Sequence, residues 1–190
     1  MLEKIPASIG AALVSVRAGT DGLALYDPAL TSVPDTILVT SPVFAHRGAL
    51  PMRATADGEG LSPPLAWSGV PEGTEQLVLI VEDADSPTPS PLVHAIAFDL
   101  PSNRSMLDPG ELNADADADG VAMGKSSSLR PAYMPPDPPT GHGKHRYYFQ
   151  MFAIDRRLDL SRSPGRTELL RAIRGHVLAT GCIVGTYERR

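Results

Sequence analysis

Residues 77–101, LVLIVEDADSPTPSPLVHAIAFDLP, constrain this chain more than any other stretch. Leu77 to Val81 is an unbroken aliphatic run, which reads as a strand buried on both faces. Leu92 to Leu100 is a second strand candidate. Between them lie Glu82, Asp83 and Asp85, in a connection held by Pro87, Pro89 and Pro91. Proline fixes φ and resists helix, so the connection is expected to be a stiff loop. Carboxylates on a stiff loop at the end of a buried strand are well placed for binding.

Strict strand alternation puts His94 on the face of Leu92, Ile96 and Phe98. Taken alone, it reads as a core histidine satisfied by backbone or water, or as a pocket-floor histidine facing the loop carboxylates. Residues 141–154, GHGKHRYYFQMFAI, supply a partner. There His145 begins a strand with Tyr147, Phe149, Met151 and Ala153 on its own face. If the strands are neighbours, Asp83, His94 and His145 line one cavity.

At 190 residues with 42% hydrophobic and 21% charged content, the chain is expected to form one domain with a sizeable core. Nineteen prolines and seventeen glycines favour a loop-rich β fold. A formal charge of −5 argues against a nucleic-acid surface. The lone Cys182 cannot form an internal disulfide and fits a reducing compartment. No stretch reaches the ~20 apolar residues of a membrane span. Residues 9–16 are too short and interrupted for a signal peptide, so a cytoplasmic location is expected.

Along the chain, Ile5, Ile9, Leu13 and Val16 predict an amphipathic helix over Pro6 to Arg17. It would dock on its own domain or serve in a homodimer. Residues 22–35 read as a linker. Short strands are expected at Ile37–Thr40, Met52–Thr55, Leu65–Ser68 and Val121–Lys125, with Trp67 in the core. Residues 102–140 form a long irregular stretch of the kind that carries function. Within it, Asp115, Asp117, Asp119 and Gly120 match the start of a calcium loop. The closing glutamate is Ser126, so a solvated acidic loop is the expectation. A helix is expected from Ser163-Pro164 to about Thr180, stopped by Gly181, followed by a strand over Cys182–Tyr187. His176 reads as structural or interfacial.

The chemistry is narrowed by what is missing. There is no G-x-S-x-G elbow, Walker A or G-x-G-x-x-G sequence. His142 and His145 sit on a glycine loop and support zinc only weakly. Two histidines beside a carboxylate suit an anion pocket, to which Tyr147 and Tyr133 can add a hydroxyl. Arg146 points away from His145 and is expected to hold the acidic loop through Asp85.

EDADSP with the histidine of LVHAIAFDLP, followed by GHGKHRYYF, resembles the paired motifs of the phosphatidylethanolamine-binding protein family. The upstream DGEGLSPPLAWSGVPEGTEQLVLIVED is similar to the family's N-terminal signature, and GHVLATGCIVGTYER resembles the C-terminal end of its bacterial, Raf-kinase-inhibitor-like members. The resemblance runs from Thr36 to Arg190. Ala84 and Lys144 stand where family members often carry proline.

The resemblance implies a mostly β fold: a large central antiparallel sheet, a smaller sheet packed on it as a β-sandwich, and peripheral helices; apolar spacing adds the N-terminal helix, outside the resemblance, and supports the C-terminal one. Residues 1–35 would be a helix and linker, and 36–190 the domain. It also implies a binding protein for small anionic, phosphate-containing ligands or head groups. The expected ligand-binding set is Asp83, Asp85, Pro87, His94, His145 and Tyr147, with no cofactor or metal. Two alternatives stand beside it. One is an interaction module that regulates a kinase or other partner through the pocket rim and the 102–140 loop. The other is a small hydrolase using the Asp-His pair.

Overall fold

The computed structural model describes residues 7–30, 32–113 and 121–189. Pro6 and the acidic run Asp115–Gly120 lie outside the described residues. Among the described residues, eight strands form two antiparallel sheets. The larger has the order β6-β4-β3-β7-β8. Its strands are β3 (Gln76–Asp83), β4 (Leu92–Pro101), β6 (Ala122–Gly124), β7 (His145–Ile154) and β8 (Val177–Tyr187). The smaller has the order β1-β2-β5, from β1 (Leu38–Thr40), β2 (Leu65–Ser68) and β5 (Met106–Leu107).

All eight residues of β3 are buried, as its aliphatic run requires. The odd-numbered residues Leu77, Leu79 and Val81 meet Tyr147, Phe149, Met151 and Ala153 of β7 in the core between the sheets. Val39, Leu65, Trp67 and Leu107 close that core from the small sheet. The even-numbered Val78 and Ile80 face the other way, beneath Leu169, Leu170 and Ile173 of α2 (Arg166–Ile173). Both faces of the central strand are therefore covered, which makes a sandwich with a helical third layer.

Several local expectations are corrected. The expected linker at 22–35 contains two 3-10 turns, Ala24–Tyr26 and Pro28–Leu30, that bury Ala24 and Leu30 under the sheet. Met52–Ala54 is a 3-10 turn closed by Thr55 N–H to Met52 O at 2.9 Å, not a strand. The first helix, α1, spans Ala7–Ala12, and residues 13–17 turn away from it. α2 begins after Gly165 with no side-chain cap, because Ser163 Oγ donates to Met123 O instead.

α2 also ends at Ile173 instead of reaching Thr180. Val177 onward pairs with β7 along its whole length, from Ile154↔Val177 to His145↔Tyr187. That long ladder with β-branched residues outcompetes one more helical turn. Gly181, expected to stop the helix, lies within β8, where a Cβ would strike the carbonyl of Ile37. Residues 34–37 and 47–50 hydrogen-bond along the free edge of β8 and cover it.

Candidate functional site

The site lies where β3, β4 and β7 bring their ends together. Asp83 closes β3, with Leu92 opposite it on β4 and Tyr147 opposite it on β7. The β3–β4 register slips between Val81/Ala95 and Glu82/Val93, leaving His94 as the extra residue of a β-bulge. The bulge corrects the expected alternation. Ile96 and Phe98 pack on the α2 side, whereas His94 turns toward Asp83, His145 and Tyr147 on the opposite face. Bulges beside sites re-aim a side chain in this way. Residue 134 holds the bulge open: Met134 N–H donates to His94 O at 2.7 Å, and His94 Nδ1–H donates to Met134 O at 2.5 Å.

A cavity of about 550 Å³ opens here. Its walls are mainly apolar, from Pro87, Leu92, Leu129, Met134 and Pro135, with Pro138 and Pro139. Asp83, His94 and His145 form its polar end, and Asp137 also lines it. Arg189 bonds both Asp137 and Asp57, so the proline wall is tied down by a residue just past β8. Leu129 is 78% exposed and held at φ 65°, a backbone conformation disfavoured for leucine. Among the described residues, His94 Nε2 and Tyr147 Oη are the buried side-chain polar atoms without a partner. Their rings meet edge to face at 5.1 Å. Burial pushes the His94 pKa below the ordinary histidine range, although the Asp83 charge opposes this. A neutral His94 that donates Nδ1–H to Met134 must present a bare lone pair at Nε2. Burial also drives the Tyr147 phenol well above its usual range, so it stays protonated and can donate.

His145 is wired differently. Its Nδ1 lies 2.8 Å from Asp83 Oδ2 and its Nε2 lies 2.6 Å from His142 Nδ1. His142 Nε2 in turn lies 2.8 Å from Leu13 O and 3.2 Å from Val16 O. Asp83 Oδ1 accepts the Asp85 backbone N–H at 2.8 Å. Both ring nitrogens of His145 are thus engaged within the protein.

Asp85 does not line the cavity. Arg146 grips its carboxylate through Nε at 2.7 Å and a terminal nitrogen at 2.9 Å, and Arg17 adds a contact at 3.0 Å. Burial alone would raise the Asp85 pKa, but the Arg146 and Arg17 hydrogen bonds outweigh it and lower it. The expected role of Arg146 as the holder of the loop is what the geometry displays. Of the other expected residues, Asp83, Pro87, His94 and His145 come together at the cavity, and Tyr147 lies behind His94. Tyr133 is committed elsewhere, donating its hydroxyl to Ala54 O at 2.9 Å. His176 pairs with Asp155 at 3.0 Å on the surface. Among the described residues, no group of three or more His, Cys, Asp and Glu is arranged to hold a metal ion. No described helix is long and apolar enough to cross a membrane.

In the sequence, His142 stands out only as a weak zinc ligand, and Arg17 and Leu129 do not stand out as site residues. The three-residue step from His142 to His145 was the available signal for the first. Nothing in the sequence marks the other two.

A sequence profile of the phosphatidylethanolamine-binding protein family matches residues 40–188. A UPF0098 protein of Methanothermobacter thermautotrophicus is 38% identical over 146 residues, covering 77% of this chain and 95% of that one. Among solved structures, a phosphatidylethanolamine-binding protein homologue from Chlamydia trachomatis superposes with a TM-score of 0.74 at 34% identity. Escherichia coli YbcL superposes at 0.76 with 25% identity. Each alignment covers 82% of this chain and 99% of the other.

Proposed function

Because the chain belongs to the phosphatidylethanolamine-binding protein family, we propose that its cavity binds a small ligand joining a phosphate-containing head group to an apolar body. The observation that carries this reading is His94 Nε2, an unpartnered buried polar atom at the polar end of a mainly apolar cavity, with the equally unpartnered Tyr147 Oη on the ring packed against His94. A buried polar atom left unpaired costs about 1–3 kcal/mol, and a ligand that pairs both recovers that cost. The head group would sit against His94 and Tyr147. The apolar body would run along Leu92, Met134 and the prolines toward Leu129.

A lone pair at Nε2 repels an oxyanion, so binding needs a proton. Either His94 takes one up, or a phosphomonoester brings its own P–O–H. The wiring of His145 leaves it no free N–H for a ligand, so its share in binding is electrostatic. Sulfate separates the two routes, because it stays a dianion across the range. Its affinity is expected to rise up to tenfold per pH unit as pH falls from about 8 to 6, with proton uptake by His94. Calorimetric titration of sulfate and phosphorylethanolamine into wild type and His94→Ala checks this. If His94→Ala binds as tightly as wild type, with the same pH dependence, the reading fails.

A further inference from the structure

His142 sits in a chain whose hydrogen-bond geometry fixes its proton count. Nε2 faces two carbonyl oxygens, Leu13 O and Val16 O, so it carries a proton. One proton must lie between His142 Nδ1 and His145 Nε2, and another between His145 Nδ1 and Asp83 Oδ2. That makes three protons on two imidazoles and one carboxylate. Two neutral imidazoles beside an ionised carboxylate would hold only two. Wherever the shared protons rest, the chain is therefore uncharged.

We propose that His142 is a positioning residue: anchored by Leu13 O and Val16 O, it holds one extra proton on the Asp83–His145 pair, so that the cavity floor is neutral and accepts an anion. This rests on the anion-binding reading of the cavity. Leu13, Val16 and Arg17 precede the residues that match the family, so the N-terminal segment adds this anchor to the family's domain. The segment is fixed in place. Arg17 donates to His142 O and Lys144 O, Ala18 N–H to Ser86 O and Gly19 N–H to Ala84 O. Gly10 lies so close to Thr140 O that a Cβ there would collide with it.

The titratable and charged groups around the chain are His94 of β4, Tyr147 and Arg146 of β7, Asp85, Arg17, and Asp137, which lines the same cavity and is paired with Arg189. Burial, then the neighbouring His145, lowers the pKa of His142. A doubly protonated His142 is thereby disfavoured.

Two variants separate wiring from packing. His142→Asn keeps an acceptor for the His145 Nε2 proton, whereas His142→Leu fills the space without one. The ring ¹⁵N signals of His145 are followed against pH in wild type and both variants, with sulfate titrations alongside. In His142→Leu, the His145 ring is expected to carry one proton fewer at neutral pH and sulfate affinity there to fall about tenfold, because the floor then keeps the Asp83 charge uncompensated. His142→Asn is expected to stay close to wild type in both. Identical His145 titration in wild type and His142→Leu overturns the proposal. The wild-type ¹⁵N spectrum tests it even if a variant fails to fold, because a bare His142 Nε2 or an unshared His142–His145 proton also overturns it. Wild type that keeps the three-proton chain yet binds no sulfate refutes the anion reading and, with it, the part assigned to His142 in binding. It leaves the proton count standing.

Discussion

Glu82 and Asp83 are neighbours on one strand, yet they serve opposite sides of the sheet. Glu82 is 0% exposed, and both of its carboxylate oxygens are paired. It accepts Ala24 N–H at 2.7 Å, Gln150 Nε2–H at 2.8 Å and Arg166 Nε–H at 2.6 Å. Gln150 Oε1 accepts Leu25 N–H at 2.7 Å. This cluster stitches residues 22–25 and the start of α2 onto the back of the sheet. On the Asp83 side the network is closed around His145 and His142, and beside it His94 Nε2 and Tyr147 Oη have no partner among the described residues. A buried polar network that is complete within the protein holds the fold. One that stops short at a cavity has capacity left for a ligand.

Breaking the back cluster is expected to have the largest effect. Glu82→Ala leaves Ala24 N–H and Gln150 without their acceptor, and is expected to destabilise by about 3–5 kcal/mol in urea melts. A loss under ~1 kcal/mol would erase the distinction between the two faces. Arg146→Ala comes next, at about 2 kcal/mol, because Asp85 keeps Arg17 and the Arg146 backbone N–H. Its pH dependence has a definite sign. The lowered folded-state pKa of Asp85 contributes stability that is present above about pH 4 and is lost as pH falls through the folded value. The gap between wild type and Arg146→Ala should therefore narrow in acid. Tyr147→Phe is the smallest effect and has the opposite sign. Removing an unpartnered hydroxyl is expected to leave stability unchanged or raise it by about 1 kcal/mol, while weakening sulfate binding. A marked destabilisation would mean that the hydroxyl is already satisfied and that the two faces are alike.

Much of this arrangement was legible in the sequence, and the parts that were not have a common cause. Leu77–Val81 announced a strand buried on both faces, and EDADSP with GHGKHRYYF brought Asp83, His94 and His145 to one place. Arg146 could be assigned to Asp85 because strand alternation from His145 is unbroken. The same rule failed for Ile96 and Phe98, because a bulge is a pairing event between strands and leaves no periodic trace. Val177 to Thr180 read as helix because their apolar spacing suits either element, and only the ladder with β7 decides between them. Residues 22–35 looked like a linker because Ala24 and Leu30 are buried by contacts distant in sequence. His142 escaped notice as a site residue for the same reason: its anchors, Leu13 O and Val16 O, are backbone atoms more than a hundred residues away.

The most direct test of the central claim is a high-resolution crystal structure soaked with phosphorylethanolamine. Phosphate is expected at the polar end of the cavity, with one oxygen in hydrogen-bond reach of His94 Nε2 and another of Tyr147 Oη, and the Asp83–His145–His142 chain undisturbed. Phosphate bound elsewhere, with His94 Nε2 and Tyr147 Oη satisfied by ordered water alone, would contradict it.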